Sequence, residues 1–276
     1  MLCTKTVELP GGVVDESYAS LNINDRDRFS AVLRECLAEA PVPNIRRAAV
    51  SLSDAVFRVQ TLEFEEFPVR PADRERLIRW RLEKAAAFDI ADTVLRYQVL
   101  RRQGKGMTVL ACVAKQSVIA QFETSLAAVG LEPWSVGVSS FYILNFYSPF
   151  FIGKSEASAL AHITEDSFAT VIVETGEPRF YRYKEVKRGS ADDVKARFMR
   201  ELDDSIHFYK HMDRSQLTEV RRLYLTGEAS LSAELAEGLR AMTSLEVEVL
   251  SPSIVVPSAN GAGPEMTAAM GAGCSL

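Results

Sequence analysis

The feature that most constrains this chain is the stretch from Ala157 to Met212. Three short apolar runs, Ala157–Ile163, Phe168–Glu174 and Pro178–Lys184, are separated only by Thr164-Glu165-Asp166-Ser167 and Thr175-Gly176-Glu177. Such tight polar links join antiparallel strands. A long amphipathic segment follows, with Val194, Phe198, Leu202 and Ile206 on one helical stripe. Strand Leu223–Leu225, helix Leu231–Met242 and strand Val247–Leu250 complete the round, and a last helix contains Met266–Met270. Three consecutive strands cannot be covered by one another. They need the helices on their faces, which makes this part a mixed α/β layer.

The first half reads as a second round of the same kind. A strand is expected over 3–9, ended by Pro10-Gly11-Gly12, then a helix capped by Asp25 and carrying Phe29, Leu33 and Leu37. Ala48–Leu52 and Val56–Phe64 read as strands. Pro71 opens a helix through Leu77, Ile78, Trp80, Leu82 and Ala85. Val94–Arg101 and Met107–Ala114 form a hairpin around Gln103-Gly104-Lys105-Gly106. A helix from Gln116 to Val129 ends at Gly130, and Val136 and Val138 lead into an apolar helix at Ser139–Tyr147. The lobe boundary is expected at Phe150–Glu156, giving a first lobe over 1–150 and a second over 151–276.

The 276 residues suffice for two such lobes, and 47% hydrophobic with 25% charged residues supports a packed core with a soluble surface. A net charge of −5 argues against nonspecific nucleic-acid binding, which needs a basic face. The four cysteines, Cys3, Cys36, Cys112 and Cys274, form no CxxC pair and read as reduced, packed thiols. Phe141–Ile152, the most apolar stretch, falls short of the roughly 20 residues that span a bilayer. The start lacks the pattern of a signal peptide, so a cytoplasmic protein is expected.

Within this layout, Leu82-Glu83-Lys84-Ala85-Ala86-Ala87-Phe88-Asp89-Ile90-Ala91-Asp92, followed by Tyr97-Gln98-Val99-Leu100, resembles the actin-like type IV pilus assembly protein PilM. Ala87 stands where that family has proline, and Arg96 where it has aspartate. Gly130-Leu131-Glu132-Pro133 matches the end of the family's inserted subdomain, here at about 70–133. The cytoplasmic domain of the type II secretion protein GspL is a related look-alike. The resemblance implies a two-lobed, actin-like (ribonuclease H-like) α/β fold with mixed sheets flanked by helices.

It also implies where a nucleotide site would lie. Leu225-Thr226-Gly227-Glu228-Ala229-Ser230 resembles the LTGGxS loop against which actin-like proteins place adenosine, with Glu228 replacing the second glycine. The second phosphate loop falls at His162-Ile163-Thr164, where histidine replaces aspartate and threonine replaces glycine. A Cβ there obstructs the close approach of a phosphate. Asp166 reads as a solvated turn acid ahead of a shifted metal ligand. Met1–Leu9 resembles a later strand of the first round, so the first phosphate hairpin is missing from this sequence. No catalytic residue, metal or cofactor is therefore expected. ATP with Mg²⁺ belongs to the alternative, a PilM-type ATPase with a truncated start. A self-assembling structural protein is a third reading.

The resemblance implies, as partner, the N-terminal cytoplasmic tail of a PilN-like inner-membrane protein, with an assembly ATPase as a second one. The chain would then be a cytoplasmic adaptor, held at the inner membrane through partners. The candidate contact residues are Trp80, Glu83, Phe88 and Tyr97. Core burial is the commoner fate of aromatics at helical spacing, and it is expected for Trp80 and Phe88 ahead of a groove. The mixed-sign cluster Arg70, Arg74, Arg76, Arg79, Arg81 with Asp73, Glu75 and Glu83 reads as a solvated helix face. His207 and His211, at i and i+4, read as a polar helix face ahead of a metal pair.

Overall fold

The computed structural model describes residues 5–39, 46–85, 90–186, 191–212, 218–257 and 262–274. Chain contacts divide it into two compact units between Val138 and Ser139. The apolar helix after Val138 packs into the core of the second unit, so the division precedes that helix and Phe150–Glu156 lies inside the second unit.

In the first unit, α1 (Arg26–Ala38) starts where Asp25 accepts a hydrogen bond from the Arg28 N–H at 2.9 Å. Strand β1 (Arg47–Leu52) pairs in parallel with β5 (Glu132–Val138). Between them in sequence lie β2 (Arg58–Phe64), α2 (Pro71–Ala85), β3 (Thr93–Gln103), β4 (Gly106–Lys115) and α3 (Gln116–Ala128). Strands β2, β4 and β3 form an antiparallel sheet in that order. Ile78 and Leu82 of α2 are fully buried against its Leu62, Leu95, Val109, Ala111 and Val113. At about 25 cal/mol per Å² of apolar surface, each of these two side chains contributes about 2 kcal/mol to holding α2 in place.

Two expectations fail here. Residues 5–9 form no strand; Lys5 instead pairs with Glu39 beyond the end of α1. Trp80 is not core. It lies on the side of α2 opposite Ile78 and Leu82 and is 46% exposed. A buried side chain links distant parts of this unit: Gln121 of α3 accepts from the N–H groups of Asn22 and Ile23 and donates to the Ile23 carbonyl.

The second unit is built on one five-stranded sheet in the order β10-β9-β6-β7-β8. Its strands are β6 (Ala157–Ile163), β7 (Ser167–Glu174), β8 (Glu177–Glu185), β9 (Val220–Gly227) and β10 (Glu246–Val249). β6, β9 and β10 run parallel, and β7 pairs antiparallel with both neighbours. One face packs on α5 (Ala191–Met212) and α6 (Ala229–Met242), burying Phe198, Leu202, Ile206, Leu235 and Leu239. The other packs on α4 (Ser139–Phe146) and α7 (Thr267–Gly273), with Ile143, Phe146, Leu160, Val171 and Met270 between them. Helices on both faces explain why β6 reads as a continuous run rather than an alternating one.

Candidate functional site

The residues singled out as a vestigial nucleotide site come together at the ends of β6 and β9. Register pairs His162 with Thr226 and Ile163 with Gly227. Gly227 has φ of +112°, and a Cβ there would lie 1.9 Å from the Ile163 carbonyl oxygen. That same oxygen accepts the Glu228 N–H at 2.8 Å. Glycine is therefore required at 227 by the approach of the two strands themselves.

Glu228 is the N-cap of α6. Its carboxylate accepts from the Ser230 N–H at 3.3 Å and from the Ser230 hydroxyl at 2.9 Å. A helix N-terminus carries orphan donors and partial positive charge, which is where an anionic ligand would gain most. Here the chain's own carboxylate takes that place.

The turn from β6 to β7 is also closed on itself. The Ser167 N–H donates to Thr164 Oγ1 at 3.2 Å, and the Thr164 hydroxyl lies 2.7 Å from Ser167 Oγ. The Thr164 N–H donates to the Ser167 carbonyl at 2.9 Å. Asp166 is exposed at the tip, its carbonyl accepting from the Val186 N–H at 2.6 Å. His162, before the turn, is held neutral: burial pushes its pKa down to about 4, against the opposing effect of a hydrogen bond to the Thr226 backbone. Its Nδ1 is buried with no hydrogen-bond partner among the described residues. A neutral imidazole, a threonine hydroxyl committed to its own turn and a capping glutamate do not fit a Mg²⁺–phosphate cradle, which uses a carboxylate and free backbone N–H groups.

The proposed contact residues do not converge. Trp80 and Glu83 are exposed on α2, with the Lys84 ammonium 4.2 Å from the Trp80 ring centre. Tyr97 instead is half-buried, edge-on to Phe67 and packed against the core between α2 and the sheet. Phe88 falls outside the described residues. Elsewhere, His207 Nδ1 lies 3.1 Å from the Asp203 carbonyl and 3.3 Å from its carboxylate, as a polar helix face would have it. Among the described residues no three His, Cys, Asp or Glu gather to hold a metal. No helix there is long and apolar enough to cross a membrane.

What the sequence reading missed is how Glu228 and Thr164 are used. The spacing Glu228-x-Ser230 at the start of an apolar helical pattern was the available signal for the cap.

No protein-family model matches the chain, and no curated protein matches it by sequence. Among solved structures it is similar to one from the PilM–PilN type IV pilus biogenesis complex. That match has a TM-score of 0.80 at 19% identity, covering 96% of this chain and 88% of the other. A Bacteroides thetaiotaomicron protein with an actin-like ATPase fold and unknown function matches at 0.52 and 14% identity, over 92% and 84%. The cytoplasmic domain of EpsL, an inner-membrane component of the type II secretion system of Vibrio cholerae, matches at 0.50 and 13%, over 93% and 82%. The fold is the actin-like one.

Proposed function

We propose that this chain is an actin-like cytoplasmic adaptor of a type IV pilus or type II secretion assembly platform, which binds the cytoplasmic tail of a membrane partner and does not turn over ATP. The observation that carries the platform reading is the extent of the similarity to the PilM–PilN structure, which spans nearly the whole chain. The EpsL match points to the same kind of machine. The non-catalytic part rests on the self-satisfied turn at Thr164 and the carboxylate cap at Glu228. An assembly ATPase is the natural second partner for an adaptor without its own hydrolysis.

Calorimetric titration with ATP–Mg²⁺ tests the second half, and no heat of binding is expected. Binding in the micromolar range would overturn it. The first half is tested with a synthetic peptide of the cytoplasmic tail of a single-span membrane protein encoded beside this chain. Saturable binding by fluorescence anisotropy is expected, and none to a scrambled peptide. Equal binding of both peptides would count against the adaptor reading.

A further inference from the structure

Charge is distributed unevenly along this chain. Residues 58–115, which build β2, α2, β3 and β4, hold twelve Lys and Arg against eight Asp and Glu, a net +4. The remainder therefore carries −9 to give the overall −5. The most exposed large apolar side chain in the described structure, Val69 at 86%, immediately precedes α2. Trp80, the half-exposed indole of the helix, points away from the sheet that α2 covers.

The outward stripe of α2 combines the two. Arg76 and Lys84 stand one turn before and one turn after Trp80, and Arg81 is exposed beside it. Arg76 is 80% exposed and Lys84 lies over the indole. The acids on or beside this stripe are Asp73, paired with Arg76 at 3.5 Å, and exposed Glu83, so three cations stand against two acids and the face keeps a net positive charge of +1. An indole flanked by long-stemmed cations suits the boundary between lipid headgroups and acyl chains. The ring enters the interface while Lys and Arg keep their charges at the phosphates.

From this stripe we propose that the outward face of α2, with Trp80 as its apolar contact, Arg76, Arg81 and Lys84 as its cations and the exposed Val69 in the segment leading into it, docks directly on an anionic phospholipid bilayer. A peptide partner is the less suited occupant, because peptide recognition uses a groove or a free strand edge and this face is a convex helix surface. The charge asymmetry has a second effect: the anionic surface attracts this subdomain and repels the rest of the chain. The bilayer is thereby met in one orientation. This proposal does not rest on the adaptor reading, and it concerns lipid rather than a protein tail.

The test is co-sedimentation of the full chain with vesicles of zwitterionic lipid alone or with about 30% anionic phospholipid. Binding to the anionic vesicles at about 0.1 M salt, and its loss at about 0.5 M, is expected from screening. The chain has two tryptophans, so the Trp134→Phe variant leaves Trp80 as the only indole. Its emission is expected to shift to the blue on anionic vesicles alone. Lys84→Glu should weaken partitioning about tenfold or more, since it removes one attractive charge and adds a repulsive one. Trp80→Ala should also weaken partitioning onto the anionic vesicles at about 0.1 M salt, since it removes the side chain that enters the interface. Both sites are exposed, and circular dichroism checks that the variants fold. No sedimentation with anionic vesicles, or sedimentation indifferent to salt and to Lys84→Glu, would overturn the proposal. Retention on an acidic peptide without vesicle binding would equally overturn it in favour of a protein partner.

Discussion

Replacing Gly227 by alanine separates a structural from a ligand-binding reason for this glycine. At φ +112° the residue sits in a region that L side chains rarely adopt, and forcing one there costs about 1–3 kcal/mol. The new Cβ would also meet the Ile163 carbonyl oxygen at 1.9 Å. That oxygen cannot simply withdraw, because it accepts the Glu228 N–H that starts α6. Relieving the clash must part the ends of β6 and β9 in the middle of the five-stranded sheet, an overpacking cost of about 1–3 kcal/mol. The two together predict a loss of about 2–6 kcal/mol, and a loss near the middle of that range lowers the melting temperature by about 8–16 °C at about 2–4 °C per kcal/mol. Gly176→Ala is the control. Its φ is also positive, at +83°, but its Cβ would meet only Ile152 at an ordinary 3.7 Å. It should cost about 1 kcal/mol, from backbone strain alone. Thermal unfolding followed by circular dichroism reads both. A Gly227→Ala protein that melts within about 3 °C of Gly176→Ala would refute the close-approach argument.

Gln121→Leu removes the acceptor of the Asn22 and Ile23 N–H groups and the donor to the Ile23 carbonyl. A loss of about 2–4 kcal/mol is expected, with hydrogen exchange accelerated over residues 13–24 rather than across the sheet of the same unit. His162 has a folded pKa depressed from 6.5 to about 4, so the unfolded chain binds its proton first as pH falls. Its contribution is present above pH 6.5 and is lost on the way down to about 4, a change of order 3 kcal/mol. His162→Gln should flatten the urea-unfolding profile over that window, and an unchanged slope would contradict the assignment. Burial, reinforced by Asp54, pushes the Cys112 thiol up to about 12. At pH 8 its thiolate fraction is about 10⁻⁴, so alkylation followed by mass spectrometry should label exposed Cys274 and spare Cys112 until the chain unfolds.

The second unit was legible because its signals are local. Tight polar turns fix the β6-β7-β8 meander, and the Val194–Ile206 stripe fixes which side of α5 faces it. The first unit was less legible because its decisive contacts are distant in sequence. β5 begins at Glu132 and runs through Pro133, which a local reading treats as a breaker. The structure admits it with a register shift opposite Ala48/Ala49, where Ala48 pairs with Pro133 and Ala49 with Ser135. Trp80 was misread for a different reason. The general preference of aromatics for the core was weighted above its position: Ile78, Leu82 and Ala85 stand at i, i+4 and i+7 on one face, and Trp80, two residues after Ile78, falls on the other side. Two aliphatic side chains fill the space above Leu95 and Ala111, and the indole is left outside. At the candidate site, the residue replacements could be read from sequence, but of the hydrogen bonds they form only the Glu228 cap left a local signal.

Those bonds bear on the proposed absence of ATP turnover. A loop that cradles phosphate keeps backbone donors free, and such donors are costly to leave unpaired when no ligand is bound. In this chain the Thr164 hydroxyl accepts the Ser167 N–H, and the Glu228 carboxylate accepts the Ser230 N–H. Each of these side chains occupies a donor, the part-buried Ser167 N–H in one case and the exposed Ser230 N–H at the helix start in the other. Reverting His162 to aspartate alone would restore a carboxylate but leave these donors occupied, and a phosphate would have to displace both internal acceptors. A ligand exchanging one acceptor for another gains little from the new bond. On the proposed reading, in which the chain does not bind nucleotide, a single substitution at 162, 164 or 228 should leave the calorimetric titration flat.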